Sequence, residues 1–120
     1  MINSYKDLIV WQKSFELVME IYKLTDLFPK SEIYGLISQI RRCAVSIPSN
    51  IAEGFTRKHR KEYAQFISIA FSSGAELETQ LLLSKELKFA VEKDFIKSEQ
   101  LLNEVMKMLN SFSSKLKINY

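Results

Sequence analysis

The chain predicts an all-α fold, an up-down-up-down antiparallel four-helix bundle, and three observations carry that expectation. Apolar residues recur at helical spacing along most of its length. Only three Gly and two Pro interrupt 120 residues, too few for a strand-rich fold with a turn every 8–12 residues or so. The stretches between periodic segments are a few residues each, which favours antiparallel neighbours. With 47% hydrophobic residues the length suits a single domain over residues 1–120 built on one core.

The first helix is expected from about Asp7 to Phe28. It carries two adjoining apolar rows: Leu8, Trp11, Phe15, Val18 and Tyr22, then Val10, Leu17, Ile21, Leu24 and Phe28. Lys13, Glu16, Glu20 and Lys23 repeat on the opposite, solvated side. Pro29 stops the helix by pushing its predecessor out of the α region. Ser31 is then the expected N-cap of a second helix, whose buried row reads Ile33, Ile37, Ile40, Ala44, Ile47 and Ile51. Pro48 lies inside that row and should kink or restart the helix, and Gly54 is placed to end it as the C′ residue. The third helix is expected over about Arg60 to Leu87, with Tyr63, Ile67, Ala70, Gly74, Leu77 and Leu81 on one face. The fourth spans roughly Glu92 to Lys115 and buries Phe95, Leu102, Val105, Leu109 and Phe112; its N-terminus has no good cap.

Helices two and three, folded back about a turn near Arg57, set Ala44 level with Ala70 and Arg41 and Arg42 level with Ser72 and Ser73. Glu76 is one turn further on, so an Arg–carboxylate pair across the two helices is expected. Gly74 extends the narrow strip where helix two should approach. Ile9, Met19, Leu27, Phe66, Phe71 and Leu82 are apolar beyond what a bundle core takes, about three positions in seven. Burying that surplus against identical subunits predicts a homo-oligomer.

Charge is the least evenly spread property. Residues 1–40 hold four Lys and five acids, and residues 62–120 hold seven Lys and eight acids. Between them Arg41, Arg42, Arg57, Lys58, Arg60 and Lys61 face only Glu53, so the net charge of +3 originates in one segment. Such concentration is a footprint for a polyanion, RNA or DNA. The run Arg57-Lys58-His59-Arg60-Lys61 flanks the C-terminus of helix two favourably but opposes the dipole at the start of helix three, at roughly 0.3–1 kcal/mol per exposed cation. Arg41, Arg42, Arg57, Lys58, His59, Arg60 and Lys61 are the candidate nucleic-acid-binding residues. Phe55 reads either as an apolar plug of the bundle end or as a stacking platform for a base.

Catalytic chemistry finds no support. His59 lies among cations with nothing to orient it, and Cys43 sits on a helix face rather than at a helix N-terminus. One Cys and one His cannot form a disulfide or a zinc site, and no phosphate-cradling glycine loop, HExxH or ExxH motif implies a cofactor. The N-terminal MINSYKDLIVWQKSF lacks the apolar stretch of a signal peptide, and no run approaches a bilayer span, so a cytoplasmic, non-membrane protein is expected.

The runs DLIVWQKSFELVMEIY, FPKSEIYGLISQIRRCAVSIPSNIAEGFTR and FISIAFSSGAELETQL resemble the bacterial four-helix-bundle proteins first described as encoded by 23S rRNA intervening sequences, often labelled a ribosomal protein. The resemblance covers nearly the whole chain, and SIPSNIAEG with the preceding QIRR is its specific part; the last helix is less diagnostic. The family's GSA after an alanine of the third helix stands here as Ser73-Gly74-Ala75, displaced by Phe71-Ser72. The resemblance implies a homopentameric ring with a basic surface. The accessory variability determinant of diversity-generating retroelements is similar to this family, and for that relative it implies binding of nucleic acid and of a reverse transcriptase. Two functions remain open: a nucleic-acid-binding accessory protein, or an oligomeric scaffold that binds another protein and uses its basic segment between subunits.

Overall fold

A computed structural model describes residues 1–118 of the chain. Four helices follow one another: α1 (Ile9–Thr25), α2 (Leu36–Phe55), α3 (Arg60–Glu86) and α4 (Glu92–Ile118), with no strand among the described residues. Each helix packs on its sequence neighbours and α4 closes back on α1, which gives a square up-down-up-down bundle about 45 Å long. Its core follows the expected stripes, except that Phe15 and Tyr22 of the first row of α1 are exposed. Leu17, Ile21, Ile40, Ile47, Ile51, Ile67, Leu77, Leu81, Phe95, Val105 and Leu109 are almost completely buried.

The helix ends differ from what periodicity predicts, each for a local reason. The first segment opens with a 3-10 turn, Tyr5–Asp7, closed by a reciprocal cap in which Ser4 Oγ accepts from Lys6 N and Asp7 Oδ2 accepts from Ser4 N. α1 ends at Thr25, three residues before the expected stop. The chain leaves the helix so that Phe28 turns into the bundle end, against Phe89 and Phe95 at centroid distances of 5.5 and 6.0 Å. Ser31 does not cap α2. It lies in a 3-10 turn, Lys30–Glu32, and α2 begins later, where Glu32 Oε1 accepts from Leu36 N. Ile33 consequently falls outside the helix and is exposed.

α2 passes through Pro48 without restarting, and Gly54 does not end it. Gly54 lies inside the helix with no positive φ and is buried. A Cβ there would come 2.8 Å from Phe66 Cβ and 3.0 Å from Tyr63 Cδ1, so it is close approach of α3 that requires the glycine. Because α2 runs on to Phe55 and a loop follows, the α2–α3 register is shifted by more than a helical turn from the expected one. Ser73 meets Ser46 through a 2.8 Å hydroxyl–hydroxyl bond instead of lying level with Arg41. Gly74 is buried as expected but faces α4, not α2: a Cβ there would collide with Met106 Sδ.

The seams carry different glue. α4 is tied to its neighbours by Lys13–Glu104, Lys97–Glu20 and Lys85–Glu99 ion pairs, whereas α2 and α3 meet through small residues. The α3–α4 turn closes on a complete Schellman motif. Phe89 N donates to Ser84 O and Lys88 N to Lys85 O, with Lys88 in the left-handed region at φ 60°.

Candidate nucleic-acid interface

The α2–α3 turn forms one end of the bundle, and its cations are held there by ordinary helix termination. Thr56 ends α2, its N–H and hydroxyl both returning to Glu53 O, and the chain crosses to α3 at His59. Arg57 folds back along α2, its Nη2 3.2 Å from Glu53 Oε2 and its guanidinium 4.7 Å above the Phe66 ring. Lys58 and His59 are exposed. Arg60 donates from Nε to Leu116 O at 3.1 Å and from Nη2 to Lys115 O at 3.2 Å. These are carbonyls of the last turns of α4, where a helix runs out of internal donors. Arg60 opposes the dipole of its own helix and caps that of another, so its placement has an intramolecular cause.

Topology adds cations that the charge count along the chain does not include. The C-terminus of α4 and the turn before α1 come to this end, bringing Lys115, Lys117 and Lys6 to the side of Arg57, Lys58, Arg60 and Lys61, with Asp7, Glu53 and Glu62 as the acids there. The antiparallel order of the helices was the signal that could have found them. Behind the rim, Phe55, Tyr63 and Phe112 stack edge to face, Phe55–Tyr63 at 6.3 Å and Tyr63–Phe112 at 5.2 Å. Phe55 thus serves as a plug of the bundle end. Burial pushes the Tyr63 hydroxyl up to about 12.

Arg41 and Arg42 do not belong to this end. Fourteen residues of helix, about 21 Å, separate Arg41 from the end of α2 at Phe55. Arg41 brackets α1 to α2: its Nε donates to Thr25 Oγ1 at 2.9 Å, its Nη2 pairs with Asp26 Oδ1 at 3.0 Å, and its guanidinium lies 4.4 Å over the Tyr22 ring. The expected pair with Glu76 does not form: Arg41 turns to α1, where Thr25 and Asp26 meet it, and Glu76 lies beside Cys43. Arg42 is exposed and has no ion pair among the described residues.

Among the described residues no constellation for catalysis assembles. Burial, with the Glu76 carboxylate nearby, pushes the Cys43 thiol up, the opposite of activation. Among the described residues no three His, Cys, Asp or Glu side chains gather to hold a metal ion, and no helix is long and apolar enough to cross a membrane.

Comparison with known proteins decides the family. The model of the 23S rRNA-intervening sequence proteins matches residues 6–111. The chain belongs to that family. A solved structure of similar fold is a protein of unknown function from the S23 ribosomal protein family of Bacteroides thetaiotaomicron VPI-5482. It is 24% identical, with a TM-score of 0.81 over 88% of this chain and 98% of that one, a likeness that establishes the shared bundle. None of the curated proteins matches. The intervening-sequence family therefore accounts for the four helices and their order, and its function is unknown.

Proposed function

We propose that this protein is a non-enzymatic, homo-oligomeric nucleic-acid-binding accessory protein that grips a phosphate backbone with the rim at the α2–α3 turn. The observation that carries the reading is the gathering of Arg57, Lys58, Arg60, Lys61, Lys115 and Lys117 at one bundle end, with Lys6, against Asp7, Glu53 and Glu62. His59, exposed among them, adds a hydrogen-bonding group to the same surface. Assembly of copies would repeat the rim, and repeated rims raise avidity without new contacts. The family resemblance makes a pentamer the expected ring. Light scattering tests it: a monomer mass at micromolar concentration refutes the oligomer, and a dimer refutes only the pentamer.

Filter binding at low salt tests the rim. Replacing Arg57, Lys58, Arg60 and Lys61 together with Ala should abolish retention of RNA or DNA while the helical circular-dichroism spectrum persists. Equal retention by wild type and variant sinks the idea. A second reading, an oligomeric scaffold for another protein, is favoured by exposed Ile9, Met19, Leu27 and Leu82, each more than half accessible. Salt separates the two. A phosphate binder loses affinity with a logarithmic slope near 0.9 per phosphate neutralised on duplex DNA, and apolar docking does not.

A further inference from the structure

A second feature lies at the other end of α2, where the turn before it, the end of α1 and the first turns of α2 enclose an open cleft of about 440 Å³. One wall is the Tyr22 ring with Arg41 stacked on it, a flat pair whose charge Asp26 already answers. Arg42 and Ser38 also line the cleft. Tyr34, 94% exposed, lines it as well. A tyrosine in that state contributes almost nothing to the core, so the fold makes no use of a ring that normally buries 150–250 Å² or so.

A free guanidinium beside an unused aromatic face is the chemistry that recognises a phosphate and a planar ring together. We infer that this cleft takes an unpaired nucleotide of a single strand, its base stacked on Tyr34 and its phosphate docked on Arg42. In a duplex the faces of the bases are already stacked on one another, so the cleft selects single strands or loops. The inference rests on the nucleic-acid reading above and assigns it a substrate class. Arg42, Ser49 and Glu53 recur on one face of α2, and Glu53 holds Arg57, so cleft and rim lie along one path. The roughly 20 Å of helix from Arg42 to the end of α2 corresponds to about six nucleotides at stacked spacing.

The test compares a labelled single-stranded oligonucleotide of about twelve residues with the matched duplex by fluorescence anisotropy at low salt. Tyr34→Ala and Arg42→Gln, both at exposed positions, should each weaken single-strand binding by about tenfold and leave duplex binding within twofold. Tyr34→Phe, which keeps the ring face, should bind as wild type does. Unchanged single-strand affinity in Tyr34→Ala, or an equal loss on duplex, overturns the inference. So does a free nucleoside monophosphate that binds as tightly as the oligonucleotide, which makes the cleft a small-molecule site. A fall in oligomer mass for Tyr34→Ala also overturns it, by assigning the ring to a subunit contact. Survival of duplex binding in the four-cation rim variant defeats the rim alone, and the Tyr34 comparison on single strands still decides the cleft.

Discussion

The two ends of the bundle solve the same closure problem with different residues. Each is plugged by three aromatic rings, Phe28, Phe89 and Phe95 at the α3–α4 turn and Phe55, Tyr63 and Phe112 at the α2–α3 turn. Around the first plug Lys30, Lys85, Lys88 and Lys93 are matched by Asp26, Glu32, Glu86, Glu92 and Asp94, and Lys85 closes a 2.6 Å pair with Glu99. Around the second, cations outnumber acids. Packing therefore does not demand the basic rim, since the opposite end closes equally well without one. Arg60, capping α4, and Arg57, lying on Phe66, have roles inside the subunit that account for part of it.

The largest expected effect breaks that comparison directly. Removing Lys30, Lys88 and Lys93 should leave nucleic-acid retention intact, whereas removing Arg57, Lys58, Arg60 and Lys61 should lower it tenfold or more at about 0.1 M salt, with a shallower salt slope. Equal losses at both ends would show that total charge alone matters. Thermal melts of the rim variants should single out Arg60→Ala, which gives up two bonds to α4 carbonyls at roughly 1–2 kcal/mol, from Lys58→Ala, expected within about 0.5 kcal/mol of wild type.

Glycine substitutions give the next largest effect. Gly54→Ala forces Cβ against Phe66 Cβ, an atom that cannot move without its helix, and should destabilise by about 1–3 kcal/mol. At Gly74 the obstacle is the Met106 thioether, which can rotate away, so Gly74→Ala should cost less than Gly54→Ala and Gly74→Leu more than either alanine. Denaturant titrations of the three variants would check the order. At the charge-balanced end, Lys88→Gly should stabilise by about 1 kcal/mol. Its left-handed backbone suits glycine and strains lysine, and the Schellman bonds do not involve the side chain.

The smallest effect is a titration at the basic end. The Tyr63 proton is held in the folded protein up to about 12 because burial disfavours the phenolate, against an ordinary value of 10. Its folded value lies above its unfolded one, so this contribution to stability is complete below about pH 10 and is lost as pH rises through about 12. A spectrophotometric titration should show a late phenolate component that Tyr63→Phe removes; persistence of that component would show that another tyrosine carries it.

Periodicity was a good guide wherever burial alone decided. The stripes through Leu17 and Ile21, Ile40 and Ile47, Ile67 and Leu77, and Val105 and Leu109 were legible because each helix shows its inward face every 3.6 residues or so, whatever packs on it. The rim residues 57–61 were legible as a charge cluster for the same local reason. Three-dimensional placement was not. Gly54 looks like a stop and is a contact, Ser31 looks like a cap and is bypassed, and Arg41 turns to Asp26 where Glu76 was expected. Each depends on how far one helix slides along its neighbour, a quantity with no period in the sequence.

The helix count, the antiparallel order and the concentration of charge were thus determined by the chain itself. Tertiary structure alone decided that the basic segment divides between Arg41 and Arg42 on α2 and residues 57–61 at the α2–α3 turn, and that the end of α4 joins the latter. It also decided that Tyr34 and Arg42 line one cleft. A sequence specifies which face of a helix is apolar, but register and the meeting of distant termini follow from side chains filling space between helices, and that is settled only when all four pack at once.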